Sequence, residues 1–472
     1  MILLSSKHFY FFPKRFKSLL FTKLNIYKVR WKESLNSKSL YDQSSLSKVM
    51  KKMQIRDQRN NSADKPRSGE YFFIILCIMG AFAILSSTMS KNPVLNPFAE
   101  KLGTPEAFMG FIAAASTLPG VLISFPAGSL SDVIGRRKVL LVSTIVFASA
   151  PFFYILINSW WQLILVRFYH GFATAIFVPV ARAALAEFYP SKKGERISTF
   201  TSATIVGRGI APFLGGFILS LTLWNYHMVY LAVGFFGITS FIIGLILSRQ
   251  IGDERNANPV NPPEAKKKVE GFEGFKIVLR NSSIFVASIT EAAARYVYGA
   301  LEFFFVGYLK NIAQLDPSLI GIIMGMQLVL IPIVNPFMGR LSDKIGRNIP
   351  ILGGLALGGT SLFAIPYNTQ FFPLLTISIV FGLGFSMVIS SAPALVGDLA
   401  DKESYGAAMG FLATIMDVGQ MAGPIFTGFI MVSSGYRGSF FSLGAVLMVV
   451  CVLFGVYRLR MKGYSNLNTK RN

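Results

Sequence analysis

Charge is scarce in this chain. Charged residues make up 15% of its 472 positions, where a soluble domain carries about 25%. Hydrophobic residues reach 52% and mean hydropathy is +0.51, which excludes one or two water-soluble domains. Cysteine is nearly missing. Cys77 and Cys451 both sit in apolar runs and supply neither a zinc spacing nor a disulfide framework. With three histidines and no Cys/His cluster, no metal site is expected. No Gly-Lys-Ser/Thr phosphate loop occurs, so nothing points to an ATP-driven machine. Acidic residues are few as well: 23, against 46 Lys and Arg, for a net charge of +23. Such an excess can mark a nucleic-acid binder, but its placement argues otherwise. Residues 1–69 hold 16 Lys/Arg and 4 Asp/Glu, and the rest of the chain is mostly apolar. No nucleic-acid partner is expected.

What the chain does have is long apolar runs. A bilayer core needs about 20 apolar residues as a helix, and backbone groups in lipid must be satisfied within the segment. Twelve runs qualify, numbered here as spans 1 to 12: 71–90, 107–127, 139–157, 160–188, 197–223, 226–248, 284–309, 318–338, 349–367, 371–397, 405–433 and 439–457. The longest connection, 249–283, is rich in proline and charge and reads as a linker between two sets of six. If the N-terminus is cytoplasmic, the inside segments hold 38 Lys/Arg and the outside segments four (Lys91, Lys101, Lys310 and Arg437). That asymmetry predicts that both termini are cytoplasmic. Five segments result: a basic extension 1–69, a six-helix bundle 70–248, a linker 249–283, a second bundle 284–458 and a tail 459–472.

The two sets of six repeat each other. Gly128-Ser-Leu-Ser-Asp132-Val-Ile-Gly135-Arg136-Arg137-Lys138 returns as Gly339-Arg-Leu-Ser-Asp343-Lys-Ile-Gly346-Arg347-Asn348, 211 residues later. Glu187 and Asp398 share that offset, and Ala211-Pro212 and Gly423-Pro424 repeat at 212. The halves therefore read as parallel repeats. The glycines permit tight turns. Asp132 sits where a carboxylate can cap the start of span 3, and Arg136, Arg137 and Lys138 can reach carboxylates such as Glu187. Basic residues that only set topology are the plainer reading.

This loop motif, present twice in corresponding places, resembles the signature of the major facilitator superfamily of secondary transporters over residues 71–458. Asn348 departs from it, standing where a basic residue is usual. The resemblance implies an all-α membrane protein of 12 transmembrane helices in two six-helix pseudo-repeats. It also implies that Asp132, Arg136, Glu187 and Arg196 latch the outward-open state. Two further motifs fit. Leu163-x-x-x-Arg167-x-x-His170-Gly171 in span 4 resembles the family's second motif, with His170 in place of Gln, and implies a part for Arg167 in proton transfer. Gly207, Ala211, Pro212, Gly215 and Gly216 in span 5 resemble the third motif, associated with proton-exchanging exporters; Ala211 replaces a glycine. Ordinary small-residue packing is the alternative.

Ionisable residues inside a span are costly and mark function. Glu291, Arg295 and Glu302 lie on one stripe of span 7 at steps of four and seven. Asp417 lies midway along span 11, with Gln420 one turn on. The proton-coupling candidates are Asp417, Glu291, Arg167 and Glu302. The substrate-cavity candidates are Arg208, Arg295, His170, Tyr298 and Gln420. A static Glu291–Arg295 pair and a satisfied core histidine are the structural alternatives.

Residues 1–32 are basic and acid-free, which is compatible with a presequence or a lipid-surface segment. The leading reading is a flexible tail, because Met50 and Met53 lie close before span 1. The expected protein is a non-enzymatic, monomeric plasma-membrane exporter of a small amphiphilic compound or drug. Its expected partners are that substrate, protons and the lipid bilayer, with no cofactor besides the proton gradient. A proton-linked importer of a sugar or organic anion, and a non-transporting sensor, stay open as rivals. The arginines can bind an anion under the importer reading.

Overall fold

The computed structural model describes residues 66–123, 131, 134–251, 281–401 and 404–469. Most of the N-terminal extension, Gly128, Asp132 and linker residues 252–280 lie outside these. The described residues from 69 onward belong to the compact unit 69–472.

The described residues form helices and no strand. Ten segments are long and apolar enough to cross a bilayer, one of them the 57-residue stretch Tyr405–Met461. That stretch is two helices merged across Gly435, whose φ of 58° breaks the helix between spans 11 and 12. Span 7, Ser282–Asn311, is 30 residues long and falls outside the ten, because Glu291, Arg295, Glu302 and Lys310 dilute its apolar character. Counting both, the described residues supply twelve spans. The others are span 1 (Pro66–Met89), span 2 (Glu106–Ile123), span 3 (Arg136–Leu156), span 4 (Trp160–Phe188), span 5 (Lys193–Leu221) and span 6 (Tyr226–Ile251). In the second half, spans 8, 9 and 10 are Pro317–Ile345, Asn348–Ala364 and Phe371–Leu399. Span 1 breaks at residues 90–94 and resumes as the short helix Leu95–Lys101.

Local chemistry sets several starts. Span 7 opens on Asn281, whose side chain accepts from the backbone N–H groups of Ser283 and Ile284 at 3.1 and 3.3 Å. Span 8 opens on Asp316, which accepts from Ser318 N at 2.8 Å, with Pro317 in the first turn. Both caps satisfy N–H groups that a helix start leaves unpaired. Spans 3 and 9 begin after Gly135 (φ 102°) and Gly346 (φ 86°). Those positive φ values explain why the repeated loop keeps glycine there.

One end of the bundle carries the basic loops; the other is called the far end. The halves meet through a seam of small residues at the far end, built twice. A Cβ on Gly216 of span 5 would sit 2.5 Å from the Pro317 carbonyl oxygen and 2.8 Å from Gly321 Cα of span 8. On the opposite side of the bundle, a Cβ on Gly110 of span 2 would strike the Pro424 carbonyl of span 11, where Gly428 also approaches it. Gly110 and Gly321 stand 211 apart, and Gly216 and Gly428 stand 212 apart. Helix backbones come this close only where side chains are missing. Lys310–Glu100 (2.8 Å), Asn311–Glu100 (2.7 Å) and Ser220–Asp316 (3.2 Å) reinforce the seam. Among the described residues, ion pairs at the basic end stay within one half. The far end is thus the joined end.

Candidate functional site

Beneath the seam lies a small cavity shared by both halves. Span 1's break supplies Lys91 and Asn92, span 2 Ala113 and Thr117, and span 4 Arg167. The second half supplies Gly299, Glu302 and Phe303 from span 7 and Gln420 and Pro424 from span 11. Asn92 Nδ2 donates to Glu302 Oε1 at 2.9 Å, crossing between the halves.

Arg167 is 1% exposed. It donates from Nη2 to Ser116 Oγ at 2.5 Å and from Nε to the Ile112 carbonyl at 3.5 Å. The repeat has an equivalent: 211 residues on, Ser378 Oγ donates to the Ile323 carbonyl at 3.3 Å. One scaffold contact therefore recurs in both halves, and only the first half places a cation on it.

Span 7 brings Glu291, Arg295 and Glu302 inward, as their spacing predicts. Glu291 is fully buried, and Arg295 Nε reaches its Oε1 at 3.2 Å. Glu291 Oε2 has no partner. The Arg295 guanidinium lies 5.4 Å over the Phe385 ring, on which Tyr298 stacks with centroids 4.5 Å apart. Asp417 is half-buried and makes no hydrogen bond or ion pair among the described residues; Arg295 is the charge that acts on it.

The cavity set differs from the sequence expectation in three ways. Gln420 lines this cavity, as do Arg167 and Glu302. His170, expected in the cavity, lies instead in the interior of the first half. Its Nδ1 is 3.3 Å from the Tyr154 hydroxyl and its ring meets Phe147 edge-on. Arg208, Arg295 and Tyr298 do not line this small cavity, and Arg208 is exposed. Lys91 was read from sequence as an outside-loop residue and is instead part of the cavity wall. The local sequence did not mark it, since the break at residues 90–94 that turns Lys91 into the wall is seen only in the structure.

At the basic end, Arg136 Nε meets Glu187 Oε2 at 3.3 Å and its Nη1 reaches Ser131 Oγ. In the second half, Arg347 meets Asp398 at 3.0 Å, contacts Asp343, and donates to Ser342 Oγ at 2.8 Å. The hydrogen bonds to Asp398, foremost, push the Arg347 guanidinium above its ordinary value. Gly339 lies in the same turn, its carbonyl accepting from Ser342 Oγ at 2.9 Å. Arg196 pairs with Glu70 rather than with Glu187, and its guanidinium lies 4.3 Å over Phe73. Arg137 is half-buried beside Met79 and Gly244. In span 5, Gly207 abuts the Ala81 carbonyl of span 1 and Gly215 faces Pro93. Ala211 and Pro212 are buried, and the Pro212 carbonyl faces Gly321.

A twelve-span bundle of two repeats around a shared polar cavity defines a secondary-transporter fold. The family model described as Major Facilitator Superfamily matches residues 71–313 and 284–472, and the chain belongs to that family. It is 23% identical over 366 residues to the quinolone resistance protein NorA of Staphylococcus aureus, covering 76% of this chain and 88% of NorA. It is 25% identical over 394 residues to the multi-drug resistance efflux pump PmrA of Streptococcus pneumoniae, covering 81% and 94%. Among solved structures, it resembles a bacterial homolog of the human lysosomal transporter Spinster, inward-facing and unoccupied. The TM-score is 0.71 with 16% identity over 83% of this chain and 96% of that one. The nucleoside transporter NupG gives a TM-score of 0.67 with 14% identity over 82% and 98%.

Proposed function

We propose that the protein exports a small amphiphilic compound across the plasma membrane in exchange for protons. The observation that carries this reading is the span 5 motif at the seam. Gly216 and Pro212 pack directly on span 8, so the motif forms the barrier that must open and reseal when cargo leaves. PmrA is named a multi-drug resistance efflux pump and NorA a quinolone resistance protein, and those names support the direction.

The basic end is then cytoplasmic, with both termini on that side, and the seam closes the outside. Transport needs no cofactor and no covalent step. The halves rock around the central site, and differential affinity between the inward and outward states does the work. The chain acts as a monomer in lipid. Asp417 is the first candidate for the proton carrier because it is half-buried and unpaired; Glu291 is held by Arg295.

Reconstituted protein provides the test. With an imposed proton gradient, wild-type vesicles should drive substrate movement, Asp417→Asn should exchange without responding to the gradient, and Glu291→Gln should keep a response. Full gradient-driven activity in Asp417→Asn would remove Asp417 from the role. Uptake coupled to proton entry in the same direction would replace export with import.

A further inference from the structure

The two halves treat one arginine differently at the basic end. In the second half, Arg458 of span 12 donates from Nε to Asn348 Oδ1 at the start of span 9, at 2.7 Å. Its guanidinium lies 5.8 Å over the Phe454 ring. Shifted by 211 residues, Arg137 of span 3 stands at the place of Asn348, and Leu247 of span 6 at that of Arg458. Gly244 and Gly455 share the offset, so the register of spans 6 and 12 holds. Each half thus brings one arginine to this junction, from opposite helices. The second half gives it a side-chain partner. In the first, Leu247 offers only an apolar side chain, and among the described residues Arg137 makes no ion pair. Its neighbour Arg136 takes Glu187.

Arg137 is half-buried and lines a crevice between spans 1, 3 and 6. Met79, Leu140 and Leu247 give the crevice apolar walls, and no carboxylate lines it. The Ser248 hydroxyl, also in the lining, already donates to the Leu245 carbonyl at 2.8 Å. The guanidinium is therefore the crevice's free donor. Val142 and Ile145 of span 3 and Leu245 and Ile246 of span 6, beside it, are exposed apolar residues. On a membrane bundle such a surface faces lipid chains. The central cavity takes no residue from span 3 or span 6, so the crevice is separate from it. A guanidinium fork matches phosphate oxygens, and basic pockets between spans take anionic head groups.

We propose that this crevice binds one anionic phospholipid from the leaflet at the basic end, its phosphate on Arg137 and an acyl chain along Met79, Leu140 and Leu247. Lys138, exposed at the rim, adds to the attraction. The lipid ties span 3 to span 6 in the first half, as the Arg458–Asn348 hydrogen bond ties span 12 to span 9 in the second. An arginine that only sets topology has no preference among lipids, and that is the contrast to be measured. The inference is independent of the cargo and of the direction of transport.

The test uses the purified full-length protein, stripped of lipid in detergent, with three probes: dioleoyl phosphatidylglycerol, dioleoyl phosphatidylcholine and glycerol 3-phosphate. Native mass spectrometry counts bound lipids, and melting temperature reports their effect. One phosphatidylglycerol should bind about tenfold or more tighter than phosphatidylcholine, the scale of one charged hydrogen bond, and should raise the melting temperature. Glycerol 3-phosphate, which has the phosphate and no chain, should do neither. Arg137→Gln should lose that tightest phosphatidylglycerol and its stabilisation, and Arg137→Lys should restore part of both. Without lipid, Arg137→Gln should melt near the unmodified protein, because no protein contact is removed. Arg458→Gln should show the reverse, a lower melting temperature without lipid and an unchanged preference for phosphatidylglycerol. Equal binding of the two lipids would overturn the proposal, as would a preference that survives in Arg137→Gln. Stabilisation by glycerol 3-phosphate equal to that by phosphatidylglycerol would make this a site for free phosphate and overturn the lipid as its occupant. The ranking of the three probes on the unmodified protein stands even if a variant fails to fold.

Discussion

Arg136 and Glu187 form an ion pair, Nε to Oε2 at 3.3 Å, that joins the start of span 3 to the end of span 4. The same pair exists 211 residues later as Arg347 and Asp398 at 3.0 Å, and each arginine also reaches the serine five residues before it. The repeat thus conserves a three-residue contact, not only a string of letters. Both acids are largely exposed, 66% and 57%. Such pairs contribute little to stability, with a usual range of about 0–1 kcal/mol.

Glu187→Gln should therefore leave the melting temperature nearly unchanged while altering the balance between inward and outward states. The check is a melting curve beside a transport assay on the same preparation. A large loss of stability would mean that the pair holds the fold and not the switch.

The far-end seam leaves no room for side chains. Gly216→Leu or Gly321→Leu should prevent closure at that end and raise the outward-open population. A cysteine placed at Thr117, which lines the cavity beneath, reports this in a background where Cys77 and Cys451 are serine. Its labelling by an impermeant thiol reagent from the far side should rise in the leucine variants. Unchanged labelling would show that the helices move apart without opening a path.

Glu291 is fully buried against Arg295. Removing one member of a buried pair strands the other, at a typical cost of about 3–5 kcal/mol, whereas removing both can be nearly neutral. Arg295→Gln should be clearly destabilising, and Glu291→Gln combined with Arg295→Gln should recover much of the loss. A double-mutant cycle from thermal or denaturant unfolding in detergent measures the difference.

Asp316 caps span 8 and accepts from Ser220 of the other half. Partial burial works against its charge, but hydrogen bonds from Ser318 and Ser220 outweigh that and hold its carboxyl below the ordinary value. A depressed folded pKa gives stability that is present above the unfolded value and lost as pH falls through the folded one. The protein should lose stability on acidification in that range, and Asp316→Asn should flatten the response. Asp316→Ala should cost about 1 kcal/mol, as for other helix caps. Melting temperatures across acidic pH provide the comparison.

Much of this was legible in the chain itself. Long apolar runs need no tertiary partner to be recognised, since lipid imposes length and internal hydrogen bonding on each span separately. The repeat showed through because a positive φ at Gly135 and Gly346 admits few other residues. The inward stripe of span 7 followed from helical spacing alone. The misplacements share one cause. Whether His170 faces the cavity or Tyr154, and whether Lys91 points into a loop or a wall, depends on which helix packs beside it and at what rotation. Neither is encoded in the local sequence of spans 1 and 4.

The sequence by itself determined the span count, the twofold repeat and the short set of membrane charges, because each is a local or periodic property. Tertiary structure decided which of those charges meet. It joined the halves at the far end, carried Lys91 and Arg167 beside Glu302, paired Glu291 with Arg295 and left Asp417 unpaired. The physical reason is distance. An ion's partner is chosen within a few ångströms across helices, and residues some 200 positions apart become neighbours only when the bundle closes.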